Sequence, residues 1–473
     1  MDTRNQAVLI FDIGKTHIKV TLLDDAGVRL HQNRTSNKVK ETTPYASYDT
    51  DHTWSWFLGE LSGLTPRFNI TAISIATHGA AAALINPETE SLLLPIMDYE
   101  FEAYPDSLTD YASLRPAFDI TGSPRFPAGL NLGRQLHWQT QLLSDADRKK
   151  AVLLMYPQYW AWRLTGKLAS EITSLGCHTD LWDITTNAPS PLLKKLGFEK
   201  ALPPLIKAWE SLGTITNDLA NRVGLSGECR VLPGVHDSNA GYIPILRTPK
   251  NRRPTVVSSG TWSVIMDSQA KVDTLDPDRD MLVNIDAEGS PLATARYMGG
   301  REFGLICERL NTDIATTFTD SDIHEIIESK TFILPSFCSE TGPYPKASGR
   351  IVFQAEKIEV NGKAAATIYS ALMVDDILKR LNQNSPCDIL IEGSFAANEV
   401  FCRLLAALNP GRKVRIQNQG NGVTEGCFLL TKWHLETEKT DDPIVTPYPS
   451  EAFLEYAQSW KSLLAHSDRQ PSI

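Results

Sequence analysis

The chain lacks a concentrated basic face. It carries 46 Lys and Arg against 56 Asp and Glu, a formal net charge of −10. Nucleic-acid binding needs a clustered basic surface, so it is not expected. No run of like charges is long enough to form a tail, and the Arg252-Arg253 pair reads as loop charge. No segment approaches the roughly 18 unbroken apolar residues of a membrane span. The start, from Met1 into the strand-like Ala7–Phe11, has neither the basic opening nor the apolar stretch of a signal peptide. Seven cysteines are present, widely spaced and without a C-x-x-C pair. That excludes a zinc knuckle and a thioredoxin motif, and suits reduced thiols in the cytoplasm. Low-complexity tracts and short-period repeats are missing too.

What remains is an ordinary globular composition, 42% hydrophobic and 22% charged. At 473 residues the chain is too long for one core, so two or three domains are expected. Ala7–Asp12, His17–Leu23 and Val28–His31 read as a β-meander with a turn at Asp24–Gly27. Thr53–Leu61, Gln135–Leu143 and Tyr159–Leu164 have helical periodicity, and Ile70–Thr77 is a strand ending at His78-Gly79. The polar, Pro-flanked Arg247–Pro254 is the candidate boundary. Beyond it the opening pattern recurs: strand Thr255–Ser258, a small-residue turn, strand Trp262–Asp267. Ser370–Leu381 and Asn398–Leu408 read as helices around a strand at Asp388–Glu392. Two related α/β domains flanking a cleft are expected.

Four constellations carry chemistry. Asp12-Ile13-Gly14-Lys15-Thr16 ends a buried strand in a tight turn. Its N–H groups and hydroxyl suit phosphate, and its carboxylate suits Mg²⁺ held through water; the other reading is a plain hairpin. It is not a P-loop, because Leu9 stands where the first Gly is required. Ser258-Ser259-Gly260-Thr261-Trp262 is either a second phosphate turn or a Ser-rich β-turn. Glu392-Gly393-Ser394 through Asn398 joins a strand to a helix. It reads as an adenine shelf, or as a connection capped by Ser394. In Gly234-Val235-His236-Asp237-Ser238, Asp237 is either a catalytic base or a helix cap. Consecutive side chains diverge, so His236, Asp237 and Ser238 cannot form a hydrolase triad.

Taken in chain order the segments resemble the FGGY carbohydrate kinases, from Val8 to about Lys432. The resemblance implies an actin-like (ribonuclease H-like) ATPase fold. It implies an N-terminal domain over 1–248, a nucleotide domain over 249–440 and a helical extension over 441–473. It implies ATP and Mg²⁺ as cofactors and a small sugar as substrate. Asp237 takes the role of base and Asp12 that of metal ligand. Gly14, Lys15, Thr16, Ser259, Gly260, Thr261, Gly299, Gly300, Gly393, Ser394 and Asn398 take the nucleotide. His78, Gly79 and His236 take the sugar. Trp54, Asn131, Arg134 and Trp160 are further sugar-pocket candidates, each with core packing as its other reading. Glu425-Gly426-Cys427 resembles the family's closing segment. The Ser-Ser-Gly-Thr-Trp form is similar to rhamnulokinases, which makes a deoxyketohexose the first expected substrate, ahead of pentuloses. The departures are Lys15, Glu392 and Gln158, each at a place where family members commonly carry a different residue. A homodimer is the base-rate expectation.

Overall fold

The computed structural model describes residues 4–104, 111–354, 359–382, 385–417, 422–435 and 442–467. The chain divides into two compact units. The first comprises Met1–Arg247, Val283–Pro291 and Asn421–Glu438; the second comprises Thr248–Leu282, Leu292–Gly420 and Lys439–Ile473.

The first unit is built on β1 (Asn5–Ile13), β2 (His17–Asp24), β3 (Arg29–Ser36) and β4 (Phe68–Thr77), with short strands β5 (Gly213–Thr214), β6 (Arg230–Val231) and β7 (Val235–His236). The sheet order is β5-β6-β4-β1-β2-β3, and β7 also pairs with β4. β1 and β2 form an antiparallel hairpin; β1 and β4 run parallel. The continuous burial of β1 from Ala7 to Ile13 fits a strand covered on both faces. Phe11 stacks on Phe57 of the helix Thr50–Leu64, with ring centroids 3.9 Å apart. That helix starts where Asp49 accepts the His52 N–H, a cap four residues before the expected start at Thr53.

The second unit repeats this plan. Strands β8 (Thr255–Ser259) and β9 (Ser263–Asp267) form an antiparallel hairpin, and β8 runs parallel to β11 (Ile389–Gly393). With β10 (Pro291–Tyr297) and β12 (Val414–Ile416) the path reads β10-β9-β8-β11-β12. The expected helices are present, with shifted ends. Ser370–Leu381 is the latter part of a helix over Gly362–Asn382, whose opening Ala-rich turns lack the amphipathic pattern because they are buried. The expected Asn398–Leu408 helix runs over Glu399–Leu408 with Asn398 as its cap. Ser394 instead opens a short 3₁₀ turn, Ser394–Ala397, so the alternative reading of Ser394 as the helix cap does not hold. The helix Glu451–Ser467 is anchored in this unit by Lys461, 2.9 Å from the buried Asp375 carboxylate.

Candidate active site

In the first unit the β1–β2 register places Asp12 opposite Lys19. Their side chains share one face, and Lys19 Nζ lies 2.8 Å from Asp12 Oδ2. Burial raises the Asp12 pKa, Lys19 opposes that shift, and the nearby Asp237 carboxylate adds to it. Gly14 closes the hairpin, its N–H donating to the His17 carbonyl at 2.9 Å. Thr16 Oγ1 lies 3.0 Å from His17 Nδ1. Lys15 does not stand free in the turn. Its ammonium pairs with Asp98, sits 3.2 Å from Glu100 and lies 4.9 Å from the centre of the Tyr99 ring.

β4 and β7 bring the other pieces alongside. His78 follows β4 and its N–H donates to the Ile13 carbonyl at 2.9 Å. Its ring is buried among Tyr48, Tyr99 and Tyr156, with centroids 5.0, 5.5 and 5.2 Å away. Nδ1 donates to the Gly79 carbonyl at 2.8 Å, which makes Nε2 an acceptor. Nε2 is buried and has no partner among the described residues. Burial pushes the His78 pKa down to about 4, so the ring is neutral at pH 7.

Asp237 begins the helix Asp237–Leu246, directly after β7. Its side chain is 27% exposed, while Asp12 beside it is 9% exposed. Oδ1 accepts the Ser238 N–H at 2.6 Å and lies 3.3 Å from His236 Nε2. A helix N-terminus favours a carboxylate at this place. The segment is held from beneath: the His236 N–H donates to Thr173 Oγ1, which donates to Glu171 Oε2. Asp237's helix packs closely on the helix Gly422–Thr431, because Gly426 carries no side chain; a Cβ there would stand 1.7 Å from the Ala240 carbonyl oxygen.

In the second unit, β8 and β11 bring the other small-residue turns together. Ser259 pairs with Gly393, and Ser259 Oγ accepts the Phe395 N–H while donating to the Glu392 carbonyl. Gly393 has φ +78°, and a Cβ on it would meet the Ser259 carbonyl oxygen at 1.9 Å. Only glycine satisfies both conditions. A Cβ on Gly300 would stand 2.2 Å from the Gly260 carbonyl oxygen, so the start of the helix Gly299–Arg309 lies against the Ser259–Thr261 turn. The Gly260 N–H is committed to the Trp262 carbonyl at 2.8 Å, which removes it as a phosphate donor. Thr261 and Ser394 are exposed.

Models of the FGGY family of carbohydrate kinases match the chain twice: the N-terminal domain over residues 7–243 and the C-terminal domain over 251–440. The chain belongs to the FGGY carbohydrate kinase family. The crystal structure of a carbohydrate kinase from Novosphingobium aromaticivorans superimposes on it with a TM-score of 0.87 at 33% identity, covering 98% of this chain and 100% of that one. Among curated relatives, L-fuculokinase from Escherichia coli strain K12 is 24% identical over 290 residues. Rhamnulokinase from Oceanobacillus iheyensis is 25% identical over 280. The chain spans 58% and 56% of those two relatives' lengths, and the matches take in 57% and 55% of this chain. The fold is the family's two-domain, ribonuclease H-like α/β architecture.

Within this FGGY chain several sugar-pocket candidates serve the scaffold instead. Trp160 is fully buried in the first unit's core, edge-on to Phe11, and offers no ring face to a sugar. Trp54 stacks on Trp160 and is covered by Arg163, 4.4 Å away. Asn131 accepts the Phe126 N–H and donates to the Pro124 carbonyl, stapling its own loop. Arg134 donates to the Ala128 carbonyl and lies 4.2 Å over the Tyr104 ring. In the second unit, Asn398 uses Oδ1 to cap its helix and Nδ2 to reach Thr367. Both ring nitrogens of His236 have protein neighbours: Nδ1 is 2.8 Å from Asn239 Oδ1, and Nε2 is 3.7 Å from Cys177 Sγ. Sequence reasoning left Lys19, Tyr48, Tyr99, Asp98, Cys177 and Asn239 without a role. Only Lys19 had a readable signal, since a tight turn at Gly14–Thr16 sets position 19 against position 12.

Among the described residues, no group of three or more His, Cys, Asp or Glu side chains is arranged to hold a metal. Asp12 by itself, with Lys19 on one oxygen, suits a cation that keeps most of its waters and takes its other ligands from phosphate. That is the behaviour of Mg²⁺. No helix among the described residues is long and apolar enough to cross a membrane.

Proposed function

We propose that this protein is an ATP-dependent kinase that phosphorylates a hydroxyl of a small ketose, with a deoxyketohexose such as L-fuculose or L-rhamnulose as first substrate. One observation supports this above the rest. The 27% exposed Asp237 carboxylate stands at a helix start, within electrostatic reach of the buried Asp12 and of the neutral, unpartnered His78.

Phosphoryl transfer needs positioning and charge neutralisation more than covalent chemistry. Asp237 would accept the proton of the attacking hydroxyl. Its Oδ1 is held by Ser238 N–H, so the second oxygen is the one presented. His78 Nε2 would accept a hydrogen bond from a sugar hydroxyl. Asp12 would hold Mg²⁺ through water, the ion supplying charge neutralisation at the phosphates, and Lys19 would fix that carboxylate's direction. In the second unit Thr261 Oγ1 would serve phosphate, Gly260 contributing shape but not its N–H. Gly393 and Ser394 would form the adenosine shelf. ATP supply sets the cytoplasm as the place of action.

The test is a coupled ADP-release assay with MgATP and a panel of ketoses, with glycerol and gluconate included. Strong stimulation by a deoxyketohexose supports the reading. Stimulation by xylulose or ribulose keeps the kinase and replaces the substrate. ATP binding without stimulation by any acceptor points to a non-transferring sugar-binding ATPase.

A further inference from the structure

Cys177, His236 and Asp237 form a cluster that the proposed transfer does not fully use. Cys177 Sγ lies 3.7 Å from His236 Nε2, and Asp237 Oδ1 lies 3.3 Å from the same nitrogen. Asn239 settles the other side of the ring. Its Nδ2 donates to the Ile285 carbonyl at 2.7 Å, so its Oδ1 faces His236 Nδ1 and accepts from it. His236 therefore carries a proton on Nδ1 whatever happens at Nε2.

One proton is then shared between the Cys177 sulfur and His236 Nε2. On sulfur, it leaves a bare nitrogen lone pair facing a carboxylate at 3.3 Å. On nitrogen, it makes an imidazolium that attracts the Asp237 carboxylate and the sulfur together. Opposite charges at this separation favour the proton on nitrogen, against the cost of burying both ions. We infer that Cys177 and His236 form a thiolate–imidazolium pair that steadies Asp237, which makes Cys177 a positioning residue.

The surroundings agree. Burial opposes ionisation of Cys177, yet His178 and His236 together pull it down to about 5. Burial likewise works against the His236 cation, and Cys177, then Asp237, raise it to about 10. Glu171, across Thr173, is coupled to His236, and Asp12, His78 and Cys427 are coupled to Asp237. Gly79 leaves the room: a Cβ there would stand 3.1 Å from His236 Nε2 and 3.5 Å from His178 Nε2. By contrast, burial pushes Cys307 and the partly exposed Cys338 up to about 11, and Cys229 and Cys402 up to about 12. Cys177 itself is only 2% exposed.

The test uses the full chain and needs no sugar. Thiolate absorbance near 240 nm, taken as wild type minus C177S from about pH 5 to 9, is expected to persist below about pH 6.5. H236Q and, by a smaller amount, D237N should move its onset to higher pH. If C177S does not fold, wild type unfolded in urea at pH 7 is the reference, and unfolding should abolish the absorbance. An absorbance onset above about pH 8, or an onset indifferent to H236Q, overturns the inference. Because no turnover is measured, these outcomes stand or fall separately from the kinase reading; only the link from Cys177 to catalysis rests on Asp237 being the base.

Discussion

Glu171 offers the sharpest test of how the base segment is supported. Its carboxyl is fully buried, with Oε2 accepting from Thr173 N, Thr173 Oγ1 and Ser174 N, while Oε1 has no partner among the described residues. Burial pushes its pKa from 4.5 up to about 7, against those three hydrogen bonds. A raised acid pKa means that the folded state holds the proton more tightly than the unfolded chain. The contribution is fully present below about pH 4.5 and is lost as pH rises through about 7. The difference of about 2.5 units corresponds to about 3 kcal/mol at 1.36 kcal/mol per unit. For a unit of this size that is on the order of 10 °C in melting midpoint. E171Q removes the ionisation and keeps the shape. The melting midpoint of wild type should therefore fall relative to E171Q between about pH 5 and 8, with most of the divergence in place by about pH 7. Parallel midpoint profiles across that range would refute the reasoning. Since Thr173 Oγ1 links Glu171 to the His236 backbone, activity should weaken over the same interval in wild type and not in E171Q.

Other consequences can be checked directly. D237N should lower ketose-stimulated ADP release by about three or more orders of magnitude, with the melting midpoint nearly unchanged, as expected when a base is lost from a half-exposed position. D12A should raise the Mg²⁺ concentration required for half-maximal turnover; an unchanged requirement would remove Asp12 from the metal's neighbourhood. G426A places a Cβ 1.7 Å from a backbone oxygen, and should destabilise by about 3 kcal/mol or more in a denaturant titration. H78L should raise the sugar KM by about tenfold with the ATP KM constant. In wild type, His78 should add no pH dependence to the sugar KM above about pH 5.5, because its ring is already neutral there.

Local chemistry made much of this legible. Strand β1 announced itself by an unbroken apolar run closed by Asp12 and Gly14, and β8 by Thr255-Val256-Val257 before a Ser/Gly turn. Those patterns are properties of neighbours in sequence, so they could be read without a fold. The paired hairpins of the two units followed from the same reading. What escaped it were the partners. Lys15 looked available for phosphate, but Asp98 and Glu100, more than eighty residues away, claim its ammonium. Trp54 and Trp160 could be read either as a sugar face or as core; their stacking on each other, with Trp160 edge-on to Phe11, is a long-range packing outcome that selects the core. Asn131 and Asn398 looked like ligand contacts and turned out to satisfy nearby backbone and side-chain groups.

The order and spacing of the small-residue turns, Asp12 and Asp237 at their ends, and the family to which the chain belongs were determined by the sequence alone, because tight turns and buried strands need particular residues wherever they occur. Tertiary structure decided which polar atoms remain for a ligand. It left His78 Nε2 without a partner, set Lys19 against Asp12, spent the Gly260 N–H on a turn, and put Cys177 beside His236. A donor or acceptor is usable only if no neighbour has already taken it, and those neighbours are set by the packing of segments far apart in the chain.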